Sequence, residues 1–177
     1  MAKNGFSMSN RIAVETIRRD KTLTVNDCGK IFIVDTATAG ESVEITMPNH
    51  GSAGQGWNCE FIIESGSDSA VAQQAFNITG SGDASDGITK TPFNVRLLSL
   101  NVGSDDPTAV GNYGSGSYLV AQCGKITHPA ASQADGDRLR IINAKATSGS
   151  AGSVGDSWKW YVDGMTSGSV TLTHVAP

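Results

Sequence analysis

Thr22-Leu23-Thr24-Val25-Asn26-Asp27-Cys28-Gly29-Lys30-Ile31-Phe32-Ile33-Val34-Asp35 reads as a turn feeding a strand. Asn and Asp tolerate the left-handed backbone region and Gly enters it freely, so Asn26 to Gly29 is turn chemistry. Lys30 to Val34 is a short apolar, β-branched run and predicts a buried strand. In Val43-Glu44-Ile45-Thr46-Met47-Pro48 the apolar residues alternate with polar ones, which gives a strand with one dry face. Pro48 cannot donate to a ladder and ends it. Gly56-Trp57-Asn58-Cys59-Glu60-Phe61-Ile62-Ile63 repeats the alternation as a third strand. These three strands are expected to seed one sheet.

Outward from this stretch the same signals recur. Phe76 and Ile78, the run Pro92 to Val102, Tyr118 to Cys123, Ile126 to His128, Leu139 to Ala144, Trp158 to Val162 and Val170 to His174 all read as strands, separated by Gly, Ser and Asp clusters. About ten short strands at near-even spacing predict an all-β fold, an antiparallel β-sandwich or jelly roll. No internal repeat or heptad is visible. Residues 1–21 differ in character and are expected to form an N-terminal arm leading into a β-sandwich domain, residues 22–177.

The chain has 177 residues and 21 Gly, a length that suits one domain able to bury a core without disulfides. Its net charge is −4 and only 17% of residues are charged. That balance argues against nucleic acid, which is bound through clustered basic surface, and against a basic membrane-surface helix. No apolar run is long enough to span a membrane and no secretory h-region opens the chain, so synthesis in the cytoplasm is expected. Cys28, Cys59 and Cys123 are too few and too widely spaced for a disulfide framework. Cys28 and Cys59 could face one another in one sheet, but buried reduced thiols are the commoner state.

Catalytic and metal signatures are missing. His50, His128 and His174 have no ligand-spaced neighbour, and no nucleophile elbow, phosphate loop or dinucleotide fingerprint occurs. The close pairs Asp83/Asp86, Asp105/Asp106 and Asp135/Asp137 lie in Gly-rich turns, where Asp usually serves backbone hydrogen bonding. No enzyme, cofactor or metal is expected. Asn77-Ile78-Thr79 fits a glycosylation acceptor but has no secretory context. Trp57, Trp158 and Trp160 could build a sugar-stacking platform, though alternating aromatics in strands mostly face a core. Arg11, Arg18 and Arg19 make the arm the one basic spot of an acidic chain. With Ile12, Val14 and Ile17 they are the candidate residues for contact with an acidic neighbouring subunit.

Leu23-Thr24, Asp27-Cys28-Gly29-Lys30, Ile31 to Val34, Ile45-Thr46-Met47-Pro48, Gly56-Trp57, Gly136-Asp137-Arg138-Leu139 and Trp160-Tyr161-Val162 together resemble a module of tailed-bacteriophage virion proteins. It recurs in head decoration proteins and in fibre or spike tips. Cys28 stands where that pattern has Ser, and Met47 where it has Leu. The match covers the two ends of the chain better than residues 92–136. The resemblance implies a decoration (cement) protein on the outer surface of the phage capsid. It would bind the major capsid protein at capsomer junctions, often as a homotrimer. The alternative it implies is a fibre-tip adhesin for host glycans. Under the first reading the arm would attach by strand addition, with main-chain hydrogen bonds supplying affinity.

Overall fold

The computed structural model describes residues 12–64, 73–80, 93–99, 117–146, 157–168 and 170–173. Among them are twelve strands, one short helix and two 3-10 turns. The strands are β1 (Val14–Ile17), β2 (Lys21–Thr22), β3 (Ile31–Asp35), β4 (Val43–Thr46), β5 (Asn58–Glu64), β6 (Phe76–Thr79), β7 (Phe93–Ser99), β8 (Ser117–Cys123), β9 (Lys125–His128), β10 (Arg138–Ala146), β11 (Ser157–Thr166) and β12 (Thr171–Thr173). Helix α1 is His50–Ala53. The larger sheet runs β1-β3-β5-β10-β11-β7-β8 and the smaller β12-β9-β6-β4-β2.

The all-β expectation holds, but both sheets are mixed. The first six strands alternate between the sheets: β1, β3 and β5 pair in parallel in one, and β2, β4 and β6 in parallel in the other. The chain thus winds through three turns of a flattened coil before antiparallel strands continue it. β10 extends the larger sheet from β5, and β9 the smaller from β6. This corrects the antiparallel sandwich and the jelly roll, whose Greek keys are antiparallel. It also corrects the single seeded sheet, because β4 lies opposite β3 and β5. Alternation along a strand fixes which residues face inward, not the direction of the neighbouring strand.

The two sheets share one core. Phe32, Val34, Phe61, Ile63, Leu139, Ile141, Trp160 and Val162 supply it from the larger sheet; Val43, Ile45, Phe76, Ile78 and Ile126 supply it from the smaller. Phe32 stacks on Phe61 at 5.5 Å, and Phe61 meets Phe76 across the sheets at 5.4 Å. Buried aromatics of this kind each remove a large apolar area from water, and truncating one to alanine costs about 3–5 kcal/mol. Residues 14–22 belong to this architecture: β1 and β2 are sheet members and Ile17 is buried in the core. The arm boundary drawn at residue 21 therefore falls within the first turn of the coil.

Candidate interaction surface on the first turn of the coil

The turn before β3 is built by the residues that carry the sequence resemblance. Asp27 caps the 3-10 turn Val25–Asp27 by accepting from Thr24 N and Oγ1 at 2.8 and 2.9 Å. Gly29 takes a positive φ of 78° and donates to Asn58 O at 2.7 Å. Lys30 reaches Asp27 at 2.7 Å and Glu15 at 3.3 Å. Asp-x-Gly-Lys is thus a structural clip that fixes the entry to β3.

Glu15 also pairs with Lys21. Hydrogen bonding to Lys21 holds the Glu15 carboxyl below its ordinary value against its partial burial, and Lys30 adds to the effect. Lys21 Nζ sits 5.5 Å from the centre of the Phe32 ring, within cation–π range. The link from β1 to β2 is fixed at both ends. Arg18 Nε donates to Asp35 at 2.8 Å, and Asp20 accepts from Glu44 N at 2.7 Å. Burial pulls the Asp35 carboxyl upward, but the bonds from Thr38 and Arg18 outweigh it and leave it lowered. Arg19, between the two fixed residues, is exposed and has no ion-pair partner among the described residues. Residues Glu15 to Lys21 line a shallow cleft of about 340 Å³.

Of the six candidate contact residues, Arg11 lies outside the described residues. Ile12 and Val14 are exposed, at 61% and 58%, while Ile17 is 3% exposed and serves the core. Arg18 is engaged by Asp35, which leaves Arg19 as the outward cation. So the surface combines exposed apolar groups at the start of β1 with a rigidly held basic corner after it.

A second polar cluster lies at the other end of the strands. His128 Nε2 donates to Asp137 Oδ2 at 2.8 Å, both side chains being buried. Asp137 also accepts from Ser167 N, Ser167 Oγ and Ala134 N at 2.8, 3.1 and 3.1 Å. Burial raises the Asp137 carboxyl, and these bonds, His128 first, bring it below its usual value. Gln133 is a buried clamp: it accepts from Thr36 Oγ1 at 2.7 Å and donates to Gln74 O and His128 O at 2.9 and 2.8 Å. Ser167 bonds to the carboxylate rather than to the histidine, so the three residues lack the nucleophile–base–orienter order of a hydrolase triad. Their arrangement locks the corner where β3, β9 and β11 end and β6 begins.

The remaining expectations resolve as follows. Cys28 and Cys59 are free thiols; Cys59 is buried, with its thiol pushed well up by burial, but Cys28 is exposed rather than buried, since it sits in the turn. Trp57 and Trp160 pack edge to face at 5.4 Å inside the core, which removes them from any sugar platform. Asn77 is buried in β6 and accepts from Thr127 Oγ1 at 2.8 Å, so it is no surface acceptor. His50 opens α1, and burial lowers its pKa. Asp83, Asp86, Asp105, Asp106 and His174 lie outside the described residues. No His, Cys, Asp and Glu group suited to a metal ion occurs among the described residues. Sequence reading missed the inward-facing Glu15 and Lys21, whose only signal was charge at alternate-position sites. Comparison with known proteins finds no matching family profile, no similar curated protein and no matching solved structure.

Proposed function

We propose that this chain is a non-enzymatic virion structural protein that decorates the outer surface of a tailed-phage head and stabilises its capsomer junctions as a homotrimer. The observation that carries the reading is the built corner of the first turn. Arg19 is exposed between the anchored Arg18 and Asp20, at the other end of β1 from the exposed Ile12 and Val14. An outward cation on an anchored stretch of backbone suits a carboxylate-bearing protein surface, because little backbone freedom is lost on docking. The phage-module resemblance supplies the identity of that surface, the major capsid protein. Contact through side chains replaces strand addition in this reading, since β1 and β2 are short and face charges inward.

Deleting the whole arm would remove Ile17 from the core, so point variants make the cleaner test. Ile12→Asp with Arg19→Glu should fold as wild type and fail to occupy particles stripped of the protein. Wild-type occupancy by that variant would refute the reading. Occupied heads should also survive heat better than stripped ones.

The second reading, a fibre or spike part that binds host glycans, draws on the coil itself. Three parallel turns form a short stack, the geometry of a shaft beginning. Stripped particles that keep their heat resistance but stop adsorbing to cells would select it.

A further inference from the structure

We infer that one buried water molecule bridges Asn143 on β10 and Trp160 on β11, and completes the polar joint that holds helix α1 against the larger sheet. Both residues are 0% exposed. Among the described residues, Asn143 Oδ1 and Trp160 Nε1 are buried polar atoms without a hydrogen-bond partner. The first is an acceptor and the second a donor. A third such atom, His128 Nδ1, is in register with Phe76, which offers it no polar group. Buried polar groups are nearly always partnered, by protein or by ordered water, because an unpaired one keeps its full desolvation cost.

The strands bring the two side chains together. Asn143 and Trp160 stand opposite one another in the antiparallel ladder. The main chain of Asn143 bonds on its other side: Asn143 N donates to Trp57 O, and Gly56 N donates to Asn143 O, each at 2.8 Å. Asn143 and Trp160 are therefore a non-hydrogen-bonded pair, in which Cα atoms approach to about 4.5 Å and side chains lie closest. The orientation of the Asn143 amide is fixed. Its Nδ2 donates to His50 O and Gly54 O at 2.7 and 2.9 Å, so both protons are used at α1 and its C-terminal flank. A flipped amide would set an oxygen against two carbonyl oxygens. Oδ1 thus lies on the other branch of the amide, turned from those carbonyls. Trp57 competes for neither atom: its ring meets that of Trp160 at 5.4 Å, but its own indole N–H donates to Val25 O at 3.2 Å.

A water between the pair accepts from Trp160 Nε1 and donates to Asn143 Oδ1, two of the bonds that a buried water ordinarily makes. It is the smallest molecule that can do both, which suits a space enclosed by two adjacent strands and an indole ring. Asn143 then joins three parts of the chain, α1 through Nδ2, the start of β5 through its main chain, and β11 through the water.

The joint lies inside the domain, so its test is separate from particle occupancy. The experiment is a pair of water-selective NOE and ROE spectra of the 15N-labelled wild-type chain, with the Trp160 indole signal assigned by through-bond connectivity. Trp160 Nε1–H is expected to show cross-peaks to water of opposite sign in the two spectra, the mark of a water that tumbles with the protein. No cross-peak, or peaks of one sign in both, overturns the inference. A crystal structure should show one density peak within hydrogen-bond distance of both Nε1 and Oδ1. A direct bond between these two atoms, or no peak between them, overturns it.

Discussion

Glu15 and Lys21 stand at the heads of two core rows, one in each sheet, and form an ion pair between them. In the larger sheet Glu15 is in register with Phe32 and then Phe61; in the smaller, Lys21 is in register with Ile45 and then Ile78. The first turn of the coil thus places charge where the next two place core. Inward-pointing charges and very short strands are ways to blunt an open sheet edge. The coil end is finished against further strand pairing.

Replacing the pair by Glu15→Leu with Lys21→Ile should change stability by no more than about 1 kcal/mol, because part-exposed ion pairs contribute little. It should make the chain associate end to end, seen as mass growth by light scattering with unchanged urea midpoint. Each single replacement should be worse for stability than the double, since it strands one charge over the core.

Asp137 joins His128, Ser167 and Ala134, so Asp137→Ala leaves buried donors without an acceptor. The expected loss is about 2–4 kcal/mol in urea unfolding. Ser167→Ala removes only a hydroxyl and should cost about 1 kcal/mol. Equal losses for the two would mean that Asp137 is not the hub.

Acid should unfold the protein through its carboxylates. Asp27, Asp35 and Asp137 all sit below the ordinary aspartate value of 3.8. A lowered folded-state pKa adds stability that is fully present above the unfolded pKa and is lost as pH falls through the folded one. Urea midpoints should therefore vary little on account of these groups from neutral pH to about 5, then fall below about 4. Asp137→Asn should flatten that fall, as its carboxylate no longer contributes.

Gly164 and Gly29 are both required, for different reasons. A Cβ on Gly164 would lie 2.2 Å from Arg138 O, so Gly164→Ala must push β11 off β10. A loss of about 2–3 kcal/mol is expected, as for overpacking. Gly29 has open space but a φ of 78°, and Gly29→Ala should cost about 1–2 kcal/mol. Thermal melts of the two variants order the effects.

The inward and outward faces of the strands were legible because alternation is local: Phe32, Ile45, Cys59 and Phe61 all face the core as their spacing says. The turn Asn26 to Gly29 was legible for the same reason. Strand direction was not. Val14 sits beside Ile31, and Ile31 beside Glu60, at unequal intervals along the chain. A coil with unequal turns leaves no repeat to find. Within the candidate surface, Ile12, Val14 and Arg19 are outward as a solvated strand edge requires, but Ile17 and Arg18 were absorbed by contacts to distant parts of the chain.

Register in the coil is set by backbone pairing between turns, and the links between strands have no fixed length to keep. Gly40, in the link from β3 to β4, has a positive φ of 75° and open space around it. A guest peptide grafted there would hang from two strands already clamped by their sheets, so an insertion at this corner should leave the interior packing unchanged.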